Sequence, residues 1–218
     1  MVKFSLKAEY LQKFLNGRNS MGVVNFMIQE IETILQDLNN SDPDVRESAL
    51  DRIGIAKPDN ALELIVPFLA DPDAEVRETA ACNLGIISDP RAIPSLIEAV
   101  NNDSSEKVRA EAIASLSTYR SPEILATLIA EVQREKRSRR PRQEVAKQLR
   151  NYNTDEAVDA LIALLQDDDA FVRDYAAESL FQLNRPQLRQ IWERALQDRS
   201  THVQEIAMKA LSRLTLIT

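Results

Sequence analysis

The 218-residue chain has one cysteine, one histidine and four glycines, and aromatic residues make up only 5% of it. A lone cysteine, Cys82, excludes an intramolecular disulfide and a zinc site built from several thiolates, and it points to a reducing compartment. A lone histidine, His202, leaves no Ser-His-Asp set of the usual kind, and no GxSxG elbow precedes a helix. With four glycines the chain has no GxxxxGK[ST] or GxGxxG phosphate loop. No apolar stretch approaches the roughly 18 residues needed to span a bilayer. The opening MVKFSLKAEYLQKFL lacks a signal-peptide core, so a cytoplasmic protein is expected.

What is present favours helix. The chain is 44% hydrophobic and 28% charged with a net charge of −7, enough apolar material for an ordered core. Its abundant Ala, Leu, Ile, Glu and Arg are helix formers, and strands would be richer in aromatic residues. The expected class is all-α.

A repeat then organises the chain. VRESALDRIG begins at Val45, VRETAACNLG at Val76, VRAEAIASLS at Val108, PRQEVAKQLR at Pro141, VRDYAAESLF at Val172 and VQEIAMKALS at Val203. The six copies are spaced by 31, 32, 33, 31 and 31 residues. Within each, apolar or small residues recur at helical spacing, as at Val76, Ala80, Ala81 and Leu84. Three residues before each start stands a good N-cap: Asp42, Asp73, Ser105, Ser138, Asp169 or Ser200. Upstream of each cap lies a second apolar-periodic segment, such as ALELIVPFLA or DEAVDALIALL. We term the upstream helix A and the downstream one B. Pro90, Pro122 and Pro186 suit helix A starts, where a missing N–H does little harm. Pro67 and Pro94 are expected to bend theirs.

Helix pairs of this length cannot bury their faces alone and must stack. The expected architecture is a right-handed α-solenoid of about six pairs forming a single domain over residues 21–218. Residues 1–20, with Leu6, Tyr10, Leu11, Phe14 and Leu15 on one side, read as an extra N-terminal capping helix.

The stretch DPDAEVRETAACNLGIISDPRAIPSLIEAV, residues 71–100, resembles the HEAT repeat, specifically the short phycobilisome-lyase HEAT-like variety. The resemblance rests on Asp-Pro, Val-Arg, Ala-Ala, Leu-Gly and Asp-Pro-Arg-Ala-Ile-Pro at this spacing. It implies a setting among bilin lyase subunits, phycobilisome degradation proteins or related scaffolds, with a second solenoid as a heterodimer partner. No catalytic residue carries over.

Candidate site residues come from three features. Arg46, Arg77, Arg109, Arg142 and Arg173 recur at the margin of the apolar stripe, replaced by Gln204 in the last copy. They read as half-buried side chains bonding to acids or carbonyls of adjacent copies. The outward face of the B helices, at positions two, three, six and seven after each start, is the expected concave surface for a protein partner. Its candidate partner-binding residues are Glu47, Asp51, Glu78, Cys82, Glu111, Lys147, Asp174 and Glu178. The basic run REKRSRRPR, residues 134–142, reads as an ordinary A–B turn with inverted charge, whose Arg137, Arg139 and Arg140 suit an acidic partner.

These features favour a non-enzymatic protein-binding scaffold without a cofactor or metal. The alternative implied by the resemblance is a bilin lyase or chromophore-detaching factor, in which Tyr119, Tyr152 and Arg150 would flank a bound tetrapyrrole. Nucleic acid is disfavoured, because phosphate binding takes a broad basic face and this chain is acidic.

Overall fold

A computed structural model describes residues 21–134 and 138–215, with side chains from residue 29 onward. The expected capping helix over 1–20, and Arg137, lie outside the described residues. Among these there are twelve α-helices and no strand, the helix-pair arrangement of an α-solenoid. The helices are α1 (Met21–Asp37), α2 (Pro43–Ala56), α3 (Ala61–Ile65), α4 (Ala74–Ile87), α5 (Ile93–Asn102) and α6 (Glu106–Ser115). They continue with α7 (Pro122–Val132), α8 (Arg139–Leu149), α9 (Asp155–Leu164), α10 (Ala170–Leu183), α11 (Arg189–Ala195) and α12 (Thr201–Thr215). Odd-numbered helices are the A helices of the copies and even-numbered ones the B helices. The chain divides into two compact units, residues 1–99 and 100–218.

In the first unit the apolar stripes of α2 and α4 are fully buried: Leu50, Ile53, Val76, Ala80, Ala81 and Leu84 meet Leu62 and Ile65 of α3. Each buried Leu or Ile contributes about 1.5–3 kcal/mol. In the second unit the same stripe supplies Val108, Ile113, Val145, Leu149, Val172 and Leu180, packed with Ile124, Leu128, Leu161, Leu164 and Trp192 of the A helices. The repeated apolar positions are therefore the core. No helix among the described residues is long and apolar enough to cross a membrane.

The predicted caps are in place, with differences in detail. Asp42, Asp73 and Asp169 accept hydrogen bonds from first-turn amides of α2, α4 and α10. Ser105 and Ser138 stand at the N-cap positions but make no side-chain cap bond. The Ser138 hydroxyl instead accepts a 2.8 Å bond from Arg109 Nη2. Pro67 does more than bend its helix. The segment continues from α3 as a 3-10 helix, Val66–Ala70, because proline has no N–H for the α-helical ladder. Three B helices, α2, α4 and α10, end on a left-handed residue, Lys57, Ser88 and Asn184, whose N–H returns to the carbonyls of Ile53, Leu84 and Leu180.

Candidate partner-binding site

The recurring arginines form the polar frame on which the candidate faces rest. Arg46 donates from Nε and Nη2 to both carboxylate oxygens of Asp71 at 2.9 and 2.8 Å, and from Nη1 to the carbonyls of Asn40 and Ser41. Arg142 grips Asp167 in the same way at 2.7 and 3.2 Å, and Arg173 holds Asp198 at about 3.0 Å. Arg77, Arg109 and Arg173 each donate to the carbonyls five and six residues upstream. Gln204 keeps the carbonyl contact, to Asp198 O at 2.6 Å. The expectation of arginines tied to neighbouring acids and carbonyls is met.

Sequence reasoning missed the acceptors. Asp71, Asp167 and Asp198 lie five residues before the start of their copies, and each also accepts an amide bond from the residue two ahead. One carboxylate thus shapes its own turn and receives the preceding arginine. Burial alone would raise the pKa of Asp71, but the Arg46 fork, the Asp73 amide and the Arg46 and Arg77 charges hold it below its ordinary value.

The fourth copy departs from this pattern at the basic run. Lys136 occupies the position where an aspartate would stand. Arg109 pairs instead with Glu131 of α7 at 3.5 Å, and Arg134 reaches the same carboxylate at 2.8 Å. Glu131 is 1% exposed, and burial pushes its carboxyl above the ordinary range despite both arginines. Arg139 and Arg140 are exposed and sit at 3.8 and 4.0 Å from Asp169 and Glu106, too far for strong pairing.

The outward B-helix face divides by position. The seventh position turns inward in several copies: Asn83, Ser115 and Ser179 are buried where one B helix crosses the next, whereas Arg52 and Gln148 are half-buried. Asn83 Nδ2 donates to Asp51 Oδ1 at 2.9 Å and to Thr79 O, and Ser179 Oγ donates to Ala146 O at 2.7 Å. The wheel misplaced these residues because it treats a helix as solitary, whereas adjacent B helices touch along this line.

Apart from the buried Ile206, the second, third and sixth positions are exposed or half-buried and are often tied across copies. In the first unit Asp51 is exposed, and Glu47, Glu78 and Cys82 are half-buried. Thr79 donates to Glu47 at 3.3 Å. Burial, together with the nearby charges of Glu75, Asp44 and Asp73, raises the Glu47 carboxyl. In the second unit Glu111 is half-buried, and Lys147 bonds Glu144 at 2.6 Å while standing 4.4 Å over the Tyr175 ring. Asp174 accepts from Ser200 at 2.6 Å, and Glu178 meets His202 at 2.8 Å. Both units thus present chemically uneven B-helix faces on a uniform frame.

Tyr119 and Tyr152 come together at the ends of neighbouring B helices, packed among Ile124 and Leu128. Arg120, not Arg150, stacks at 5.9 Å on Tyr152. The space lined by Tyr119, Tyr152, Ile124 and Leu128 is closed by these side chains and leaves essentially no volume for even a water-sized group, where small-molecule pockets begin at roughly 300 Å³. Two larger clefts, of about 330 and 360 Å³, flank the turns of the fifth and sixth copies near Leu165, Gln197 and Asp198.

A family model described as HEAT repeats matches residues 31–117 and again 94–181, together well over half of the chain. The chain belongs to the HEAT-repeat family. Solved structures share the fold of this HEAT-repeat protein at low identity. The complex of CpcE and CpcF of phycocyanin lyase from Nostoc sp. PCC7120 matches with a TM-score of 0.61 and 20% identity, over 84% of this chain and 76% of that one. YibA of Escherichia coli gives 0.64 and 23% over 85% and 72%, and an engineered protein 0.54 and 18% over 86% and 97%. Among curated proteins there is no sequence match.

Proposed function

We propose that this HEAT-repeat protein is a non-enzymatic scaffold that holds a protein partner on its B-helix faces, aided by the basic turn at Arg139 and Arg140. One observation carries the reading. The buried positions recur from copy to copy and the arginine–carboxylate link in four of them, while each copy carries a different combination of residues at its accessible B-face positions. A surface that varies over a constant frame is how repeat proteins acquire binding specificity. The likeness to the CpcE–CpcF complex supports a second helical-repeat chain as the partner, within phycobilisome assembly or turnover.

The test is affinity capture from the native organism with the wild-type chain and two variants, one altered at Glu47, Asp51 and Glu78, the other at Lys147, Asp174 and Glu178. A specific partner lost in one variant is the expected result. Absence of any specific partner, or capture indifferent to both variants, defeats the proposal.

The same likeness favours a second reading, a bilin lyase subunit. Phycocyanobilin mixed with an apo-phycobiliprotein subunit and this chain would then change its visible absorbance. No change in the presence of candidate partner chains removes that reading.

A further inference from the structure

Within the first unit, α2 and α4 lie side by side with a register of about 32 residues. Thr79 bonds Glu47 and Asn83 bonds Asp51 across the pair. The same register brings Ile55 alongside the end of α4, where Lys57 Nζ donates to Ile86 O at 2.7 Å. Ile55 is 81% exposed and Ile86 44% exposed. Four large hydrophobic residues are exposed among the described residues, and these two occupy one helix-pair end. Wheel geometry puts both on the same side as Asp51 and Cys82.

The other half of this face is acidic. Carboxylate oxygens of Glu47, Asp73 and Glu75 come within 4.8 Å of one another, with Asp51 and Glu78 further along. On α2 and just beyond it, Arg46 turns to Asp71, Arg52 to Asp37, and Lys57 to the carbonyl end of α4. The face thus couples aliphatic contact at one end with a group of carboxylates at the other.

We propose that the outward face of α2 and α4 docks a partner segment that is both basic and aliphatic, its cations over the carboxylates and its apolar side chains on Ile55 and Ile86. The inference rests on the scaffold reading and supplies the chemistry of the partner. Complementary charge guides encounter and register, and the aliphatic contacts supply most of the affinity.

Three fluorescein-labelled twelve-residue peptides, made of Lys and Leu, Lys and Gln, or Glu and Leu, are titrated with the full chain by fluorescence anisotropy. The Lys–Leu peptide is expected to bind best. Replacing both Ile55 and Ile86 by Ser should weaken it roughly tenfold or more, the effect of losing buried aliphatic anchors. Glu78→Lys should also weaken it and flatten its salt dependence. Ile55 and Ile86 are exposed and Glu78 is half-buried, and circular dichroism melts verify that each variant is folded. Equal binding of the Lys–Gln peptide, indifference to the Ile substitutions, preference for the Glu–Leu peptide, or no binding at all overturns the inference. Partner capture that depends only on Lys147, Asp174 and Glu178 would overturn it too while leaving the scaffold reading intact.

Discussion

Substituting Gly54 by alanine sets two known effects against each other. Gly54 lies inside α2 and is buried. In a helix interior alanine is favoured over glycine by about 1 kcal/mol, so propensity alone predicts stabilisation. A Cβ at this position would stand 1.7 Å from Asn83 Oδ1, 2.7 Å from its Cγ and 3.3 Å from its Cβ. Asn83 is 1% exposed and bonded to Asp51 and Thr79, so it cannot step aside without breaking those bonds. Overpacking costs about 1–3 kcal/mol. Losing the bond to a carboxylate adds about 1.5–3 kcal/mol. After the propensity gain, Gly54→Ala is expected to destabilise by about 1.5–5 kcal/mol. Urea denaturation followed by circular dichroism measures it, and Asn83→Ala completes a double-mutant cycle. Removing the amide should relieve the clash, giving a coupling above about 1 kcal/mol. A Gly54→Ala protein as stable as wild type would refute the proposed close approach of α2 and α4.

The arginine frame, the turns and the helix ends give further expectations. Asp167→Ala leaves Arg142, 3% exposed, without its carboxylate, and should cost about 3–5 kcal/mol in urea denaturation. Arg139→Ala breaks only an exposed contact at 3.8 Å and should cost under about 1 kcal/mol. Asp71 has a native pKa depressed below its ordinary value near 3.8. It therefore contributes stability above that value and loses it as pH falls through the depressed native pKa. Asp71→Asn should lower the melting temperature at pH 7 and flatten its decline in acid; an unchanged acid limb in a pH series of thermal melts would contradict this. Ser88→Gly removes a left-handed non-glycine residue at the end of α4, and a gain of up to about 1 kcal/mol is expected by thermal denaturation.

Much of the fold was legible because it is written six times. The stripe at Val76, Ala80, Ala81 and Leu84 recurs with the caps at fixed offsets, and tertiary structure respects both. The residues that escaped notice are those whose meaning comes from a neighbour. Asp71 and Asp198 look like ordinary turn aspartates, since nothing in a turn declares which guanidinium will arrive from the preceding copy. Glu131 is concealed in the pattern of α7, and only burial against Arg109 and Arg134 marks it. Asn83 and Ser179 were assigned to an open face because a helical wheel contains no second helix. On the candidate site, charge was readable in advance. The exposure of Ile55 and Ile86 was not, because ends of helices are where apolar periodicity stops predicting burial.

The forward reach of the arginines also acts as a length gauge. Arg46 to Asp71, Arg142 to Asp167 and Arg173 to Asp198 each span 25 residues. The gap between copies stretches to 33 residues from Val108 to Pro141, and there the carboxylate comes from Glu131, 22 residues past Arg109. With Lys136 at the turn position of that copy, an acid inside α7 takes over from the missing aspartate and the arginine keeps a carboxylate partner. The reach of one side chain thus gauges the 31-residue copies, and the exceptional copy keeps its link by drawing the acid from its helix.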